Sequence, residues 1–172
     1  MEIERKGGEG VRKQAKRSRP VIGVPRLEHV FDARISVAAP YEIGPTPSGE
    51  RRIIAITGGR VEGPGLEGAV LPGGADYQTI AADGLTRLHA RYIIETSERE
   101  RIYVENDGIR FGPKEALDRL RRGLPVDPAL IYFRTAPRFE TQSPRLAWMR
   151  TTLFIASGER TPDEVLLNVY RV

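Results

Sequence analysis

The chain has 172 residues, of which 40% are hydrophobic, 29% charged and 7% aromatic. This composition is typical of a globular protein about one domain long, which excludes wholesale disorder and a collagen-like chain. No apolar run approaches the about 20 residues that a membrane-spanning helix needs. The absence of cysteine excludes disulfides, thiolate zinc sites and a cysteine nucleophile.

The net charge of +4 is concentrated in the first part of the chain. Residues 1–26 hold eight basic and three acidic side chains, whereas residues 27–172 hold 19 basic and 20 acidic ones. We therefore expect residues 1–25 to form a basic, poorly ordered extension and residues 26–172 to form a single domain. The extension lacks the apolar stretch of a secretory signal, so the expected location is cytoplasmic. The extension is either a solvated tail or a basic arm that contacts nucleic acid. We do not expect the rest of the chain to bind nucleic acid, and we expect no membrane partner.

From residue 27 onward, apolar and polar residues alternate with a period of two, which predicts half-buried strands. Asp83-Gly84 and Asn106-Asp107-Gly108 favour hairpins, because type I′ turns need a positive φ, and Gly58-Gly59 and Ser157-Gly158 are interpreted as turns too. Strands are predicted at residues 27–37, 52–57, 65–71, 77–82, 87–95, 101–105, 109–111, 130–135, 148–157 and 165–172.

One helix is predicted at residues 114–122, because Pro113 suits the first helical position and Gly123 suits the C-terminal cap. Short strands with a single short helix predict an all-β fold, either a closed barrel or a sandwich. We favour a single antiparallel β-barrel of roughly eight to ten strands with one short helix.

Standard catalytic and cofactor motifs are missing from the sequence. There is no Gly-Lys-Ser/Thr phosphate loop and no nucleophile elbow around a serine. The two histidines, His29 and His89, lie sixty residues apart, whereas a metal site usually needs three or more ligands. We therefore expect neither a metal nor a cofactor.

Charged and aromatic residues inside strand-like segments are the candidate site residues, because such positions are costly to fill with them. Asp76 follows three small residues at the start of a strand, and Arg134 lies within an aromatic strand, where a buried guanidinium needs a partner. The alternatives are purely structural roles, in which Asp76 caps backbone amides and Arg134 pairs with a carboxylate of the same barrel. The candidate ligand-binding residues are Asp76, Tyr77, Arg91, Arg134, Glu140 and Trp148, and the candidate catalytic residues are Asp76 and Glu140.

The order of several short strings resembles one protein family. These are Thr57-Gly-Gly59, Gly63-Pro64, Leu71-Pro-Gly-Gly-Ala-Asp76-Tyr77, Asp83-Gly84, Ala90-Arg91-Tyr92, Tyr132-Phe-Arg134-Thr135, Phe139-Glu140-Thr141 and Trp148. The chain from about Leu27 to Val172 is similar to the bacterial and fungal barrel family catalogued as domain of unknown function 3237, or uncharacterised protein family 0311. The resemblance implies a compact antiparallel β-barrel and no established activity.

The family's recurring residues correspond here to Gly58, Gly59, Gly73, Gly74, Asp76, Arg91, Arg134, Glu140 and Trp148. One departure follows the tryptophan, where Met149 and Arg150 stand in place of the leucine and asparagine that the resemblance implies. This member is therefore expected to hold a different ligand, or none, if that asparagine contributes to a pocket.

Three functional hypotheses remain open at the level of sequence. The first is a barrel that binds a small aromatic or carboxylate- or carbonyl-bearing metabolite, with Arg134 or Arg91 fixing an oxygen and Trp148 and Tyr77 packing a ring. The second is a cofactor-independent isomerase, cyclase or lyase, with Asp76 or Glu140 as general base and an arginine stabilising the oxyanion. The third is a non-enzymatic interaction protein that uses its basic extension. The oligomeric state is not predicted.

Overall fold

The computed structural model describes residues 23–172, so most of the predicted basic extension lies outside the described residues. The strands are β1 (Glu28–Val37), β2 (Tyr41–Thr46), β3 (Gly49–Glu62), β4 (Gly68–Val70), β5 (Ala75–Ile80), β6 (Thr86–Thr96), β7 (Arg101–Phe111), β8 (Tyr132–Thr141), β9 (Phe154–Arg160) and β10 (Glu164–Arg171). Helix α1 spans Lys114–Arg121, and short 3-10 helices lie at Pro128–Leu130 and Ala147–Thr151.

The strands close into an antiparallel barrel of eight positions. β1 pairs with β10 on one side and with β3 on the other, which joins the two ends of the sheet. Two positions are each filled by two successive short strands, because β4 and β5 both lie between β3 and β6, and β2 continues along β3 beyond β1. The predicted antiparallel barrel is confirmed, and the sandwich alternative is wrong.

The barrel interior changes from apolar at one end to polar at the other. On β7 the inward positions begin with Ile102 and Val104 and continue with Asn106 and Arg110, all of them buried. The antiparallel register places Ile94 of β6 beside Ile102, so the neighbouring strand repeats the apolar end. The buried polar groups are therefore concentrated in one half of the barrel, where apolar side chains such as Ile54 and Leu88 are buried beside them.

Aromatic rings fill the apolar end. Phe139 makes edge-to-face contacts with Phe31 at 6.0 Å and with Phe154 at 4.9 Å between ring centroids. Leu146 and Met149, from the segment between β8 and β9, are also fully buried there. The close packing at this end buries apolar surface and thereby stabilises the barrel.

Helix α1 covers the polar end of the barrel. Leu117 packs against the turn between β5 and β6, where a Cβ on Gly84 would lie 3.1 Å from Leu117 Cδ1. Arg121 forms an ion pair with Glu50 at the start of β3. Ala116 and Leu117 are buried but do not belong to the main core, so the helix is an added cover. Within residues 23–172, neither α1 nor the 3-10 helices are long and apolar enough to cross a membrane.

Three predicted turns lie inside strands. Gly58-Gly59 lies in β3, Asn106-Asp107-Gly108 in β7 and Ser157-Gly158 in β9, so these turn predictions were wrong. Gly59 has a φ of +144°, and a Cβ there would lie 2.2 Å from the carbonyl oxygen of Arg34. Glycine is required at this position because β1 and β3 approach closely, and the chain does not reverse there.

Two further differences concern element boundaries. The sequence does not predict β2, because its segment contains glycine and proline, which are depleted in strands. The predicted strand at residues 148–157 begins only at Phe154, and Trp148 lies in the preceding 3-10 helix.

Candidate functional site

A chain of hydrogen bonds crosses the polar end of the interior from β3 to β5. Arg52 Nε donates to Gln78 Oε1 at 2.7 Å, and Gln78 Nε2 donates to Asp76 Oδ2 at 2.5 Å. The other carboxylate oxygen of Asp76 accepts from the backbone N–H of His89 at 3.0 Å. Both oxygens of Asp76 are therefore fixed in position, and the side chain is held towards the cavity that it lines.

Burial sets the ionisation of Asp76. Removal of water around the carboxyl group raises its pKa above the ordinary 3.8, and the hydrogen bonds from Gln78 and from the backbone of His89 only partly oppose this rise. A carboxyl group with a raised pKa and a fixed orientation is suited to proton transfer.

Arg110 on β7 is buried beside this chain without a hydrogen-bond partner among the described residues. Its Nε is buried and unpaired, and its guanidinium lies 5.8 Å from the centroid of the Phe133 ring. Burial and, after it, the nearby charge of Arg52 lower the pKa of Arg110 to about 9, while Asp76 favours the charged form. Arg110 is therefore a cationic donor in the interior with unused hydrogen-bonding capacity.

Two other polar atoms at the same cavity are buried without a partner in the described structure. They are the amide oxygen Oδ1 of Asn106 and the hydroxyl Oγ1 of Thr135. The phenol of Tyr92 is buried beside Asn106, and this burial raises the pKa of Tyr92. The Nε–H donor of Arg110, the amide oxygen of Asn106 and the hydroxyl of Thr135 thus lie at one cavity without partners among the described residues. Buried polar groups in proteins are nearly always hydrogen-bonded.

Positive charge exceeds negative charge in this region. Arg110 and Arg160 line the cavity together with Asp76, and Arg52 is bonded to Gln78 on the cavity wall. Arg160 is partly satisfied, because it donates to the carbonyl oxygen of Glu164 at 2.9 Å. The cavity has a volume of about 40 Å³, enough for a few water molecules or one small polar group. An anionic oxygen is the group that best complements this arrangement.

A larger cleft lies next to the cavity, between helix α1 and the barrel end. It has a volume of about 630 Å³, and Arg52, Thr86 and Arg110 lie on the barrel side. Arg110 lines both the cleft and the interior cavity. The cleft therefore gives access to Arg110. Among residues 23–172, Arg110 has no hydrogen-bond partner, whereas Arg52 and Arg160 each have one.

Of the residues predicted as a site from sequence, the structure places Asp76 in this interior. Tyr77 and Arg134 point outward because their neighbours Gln78, Phe133 and Thr135 take the inward positions. Arg134 is exposed, and its guanidinium lies 5.2 Å from the centroid of the Tyr132 ring. The expectation of a buried guanidinium at Arg134 was wrong.

Arg91 belongs to an ion-pair cluster on the outer face of the barrel. Its Nε lies 3.2 Å from Glu105 Oε1, and its Nη1 donates to Asp107 Oδ1 at 2.9 Å. His89 Nδ1 also lies 3.1 Å from Asp107 Oδ1. The carboxylates of β7 thus hold Arg91 across the strand pair, away from the cavity.

Glu140 and Trp148 lie apart from the polar interior. Glu140 is exposed on β8, and Trp148 packs in the 3-10 helix against Phe154, with ring centroids 5.8 Å apart. The guanidinium of Arg171 lies 5.8 Å from the Trp148 ring. The structure therefore does not bring the six predicted residues together.

Most residues of the polar interior were not predicted from the sequence. They share one sequence signal, which is a polar side chain in phase with the buried apolar positions of its strand. Arg52 is in phase with Ile54 and Ile56, and Arg110 is in phase with Ile102 and Val104. The missed residues are Arg52, Gln78, Tyr92, Asn106, Arg110, Thr135 and Arg160. As for metals, residues 23–172 contain no cluster of three or more histidine, aspartate or glutamate side chains suited to hold an ion.

Comparison with known proteins identifies relatives over most of the chain. Residues 25–172 match the family model "Protein of unknown function (DUF3237)". A UPF0311 protein of Rhodopseudomonas palustris is 47% identical over 150 residues, which is 86% of this chain and 98% of that protein. A UPF0311 protein of Clostridium acetobutylicum is 42% identical over 146 residues, 84% of this chain and 92% of that protein.

A third relative is the hydroalkoxylation enzyme phnH of Penicillium herquei, which is 34% identical over 80 residues, or 46% of this chain and 53% of that enzyme. Among solved structures, the crystal structure of the R. palustris protein superposes with a TM-score of 0.82 and covers 86% of this chain and 99% of that chain. A crystal structure of an enzyme from P. herquei has a TM-score of 0.66 at 24% identity and covers 90% of this chain and 97% of that chain, a likeness of fold alone. The chain belongs to the DUF3237 family, the family that its sequence motifs resemble.

Proposed function

We propose that this protein binds a small metabolite with a carboxylate or a polarised carbonyl oxygen in the polar end of its barrel. The observation that carries the proposal is Arg110, a buried guanidinium whose Nε has no acceptor among the described residues. A buried donor left unpaired costs about 1–3 kcal/mol, which a ligand oxygen would recover on binding. A charge-assisted bond to a guanidinium is also stronger than one between neutral groups.

The unpaired atoms near Arg110 suggest what the ligand carries besides its oxygen. Asn106 Oδ1 is an acceptor and needs a donor, whereas the Thr135 hydroxyl can act as either. A ligand with a hydroxyl or N–H next to its carboxylate or carbonyl would satisfy both Asn106 and Arg110. Tyr92 and Phe133 supply aromatic walls to the same cavity.

Native mass spectrometry tests the binding proposal. The wild-type protein, gently purified and incubated with a metabolite extract of its host, is expected to carry a stoichiometric extra mass. Arg110→Met is expected to lose this mass, because it removes the donor while nearly keeping the volume of the side chain. A folded Arg110→Met variant that retains the mass would overturn the proposal.

The exposed arginine of β8 provides a matched control. Arg134→Met removes the same guanidinium from the outer face, where it contacts Tyr132 rather than the cavity. This variant is expected to keep the extra mass in full. Loss of the mass in Arg134→Met but not in Arg110→Met would move the site to the outer surface.

The second candidate function is proton-transfer catalysis by Asp76. This function is favoured because burial raises the pKa of Asp76 at a cavity wall and because one relative is named a hydroalkoxylation enzyme. Hydroalkoxylation adds an O–H bond across a carbon–carbon double bond. Protonated Asp76 would give its proton to one alkene carbon while a hydroxyl oxygen bonds the other, and the proton released from that oxygen would return to Asp76.

Deuterium incorporation tests the catalytic candidate. An ortho-allyl phenol incubated with the enzyme in D₂O is expected to cyclise and to gain one deuterium on the former alkene carbon. Asp76→Asn should abolish both changes, whereas Glu140→Gln, on the exposed face, should leave them intact. Equal rates in the wild type and Asp76→Asn would contradict the assignment of Asp76.

A further inference from the structure

The interior cavity and the cleft under helix α1 differ in size and chemistry. The cavity of about 40 Å³ accommodates a group such as a carboxylate, whereas pockets for whole metabolites commonly measure about 300–1,000 Å³. The cleft, at about 630 Å³, falls within that range. Arg110 lines both the cavity and the cleft. A ligand whose carboxylate bonds to Arg110 can therefore place the rest of its atoms in the cleft.

Apolar side chains form part of the walls of the cleft on both sides. Leu117 and Leu120 line it from α1, and Pro45, Ile80 and Ala81 line it from the barrel end. These side chains offer surface for apolar burial and no directional polar contact.

The charged groups around the cleft are mostly paired with one another. Lys114 Nζ donates to Asp118 Oδ2 at 2.9 Å, and Arg121 pairs with Glu50. Arg52 donates to Gln78 and lies 3.8 Å from Glu42. Within the described part of the chain, Arg110 is thus the cationic group of the cleft that remains without a hydrogen-bond partner.

We infer that the ligand is an amphiphilic organic acid, whose carboxylate lies in the interior at Arg110 and whose apolar body lies in the cleft beneath α1. This inference rests on the proposed function and adds the substrate class and the position of the ligand body. Helix α1 then contributes directly to recognition, because its leucines form one wall of the site.

A series of carboxylates with growing apolar bodies tests the inference on the wild-type protein. Acetate, benzoate and 2-naphthoate are titrated while the side-chain Nε–H signals of the arginines are followed by NMR. We expect the affinity to rise from acetate to 2-naphthoate by at least tenfold, because each added ring buries apolar surface in the cleft.

Leu120 gives a variant specific to the cleft, and Leu124 gives its matched control. Leu120→Asn introduces a polar amide into the wall of the cleft. It is expected to lower the affinity for 2-naphthoate at least fivefold and to leave the affinity for acetate unchanged. Leu124→Asn replaces an exposed leucine that does not line the cleft and should change neither affinity. Both positions are partly or largely exposed, so the fold should survive either substitution.

The outcomes separate this inference from the proposed function. If all three acids bind with equal affinity and all need Arg110, the position of the ligand body is wrong and the anion site stands. If none of the acids binds, or if Arg110→Met binds them as the wild type does, the anion site itself is wrong and the inference fails with it. A lower affinity for 2-naphthoate in Leu124→Asn but not in Leu120→Asn would also overturn the inference.

Discussion

Two buried arginines of this barrel, Arg52 and Arg110, differ in how their guanidinium groups are satisfied. Arg52 donates to Gln78 and thereby supports the position of Asp76, whereas Arg110 has an unpaired Nε. Removing one partner of a buried hydrogen bond leaves the other unsatisfied, but removing a group that has no partner leaves nothing behind. The first arginine is therefore expected to be structural and the second functional.

Methionine substitutions at the two positions test this difference. Arg110→Met is expected to change the free energy of unfolding by less than about 1 kcal/mol or to increase it, because an apolar side chain replaces a poorly compensated buried charge. Arg52→Met is expected to lower it by about 1–3 kcal/mol, because Gln78 Oε1 loses its donor. Urea denaturation measures both values, and equal losses would show that Arg110 is structural too.

The raised pKa of Asp76 makes the stability of the protein depend on pH. Because its pKa is raised in the folded state, the native protein holds this proton more tightly than the unfolded chain between about pH 4 and the native pKa. Stability from this group is therefore lost as pH rises through that window, by up to about 1.4 kcal/mol per pH unit.

Asp76→Asn should remove this contribution. The stability of the wild type relative to the variant is expected to decrease with rising pH and then to level off above the native pKa. Carboxylates with lowered pKa values, such as Asp32 and Asp107, contribute equally to both proteins. Denaturation curves at several pH values give the difference, and a difference that does not change with pH would contradict the raised pKa.

The site could be predicted from sequence only in part. Asp76 was found because an acid follows small residues at the start of a strand. Arg134 was predicted because its aromatic neighbours suggest burial, but alternation places Phe133 inside and both Tyr132 and the arginine outside. Arg110 was missed because residues 106–108 were interpreted as a turn, which hid the common phase of Ile102, Val104 and Arg110 along one strand.

At the scale of secondary structure, strands pass close to one another where glycines stand. Gly59 in β3 approaches the carbonyl oxygen of Arg34 in β1, and Gly108 in β7 similarly faces that of Arg134 in β8, where a Cβ would lie 2.5 Å away. Alternation predicted the strands themselves well. Sequence could not distinguish a glycine where two strands approach closely from a glycine in a turn, because both positions favour the residue that lacks a Cβ.

Alanine substitutions separate close approach from backbone strain. Gly44 has a φ of +87°, and no atom lies within 4 Å of the position that a Cβ would take there. Gly59 has a φ of +144°, and a Cβ there would lie 2.2 Å from the carbonyl oxygen of Arg34. Gly44→Ala is expected to lower the free energy of unfolding by about 1–2 kcal/mol. Gly59→Ala should lower it by about 2 kcal/mol more, because a strand must also move. Equal losses in chemical denaturation would argue against the close contact of β1 with β3.

Across the whole barrel, a closely packed aromatic end and an end with buried polar groups lie opposite each other along the axis. The aromatic end of Phe31, Phe139 and Phe154 is closely packed, and the opposite end holds unpaired polar atoms beneath α1. Buried polar groups without partners reduce stability, so the apolar end has to offset that loss. This division is consistent with the strand register, which gives β6 and β7 the same apolar-to-polar order.

Residues 1–22 precede the part of the chain that the structure describes. All ten strands and α1 lie within residues 23–172, and the family match begins at residue 25. Deletion of residues 1–22 is therefore expected to shift the Tm by less than about 2 °C and to leave carboxylate binding unchanged. Thermal unfolding and a benzoate titration of the shortened protein check this. A Tm lower by more than about 5 °C would show that the extension supports the barrel.

The NMR signal of the Arg110 Nε–H group reports whether this side chain binds an anionic oxygen inside the barrel. The signal is assigned as the one that disappears in Arg110→Met. On addition of benzoate it should shift with a saturable curve, while the Nε–H of Arg134 on the outer face stays in place. An Arg110 signal that does not move at saturating benzoate, or a shift confined to Arg134, would show that Arg110 does not bind the anion.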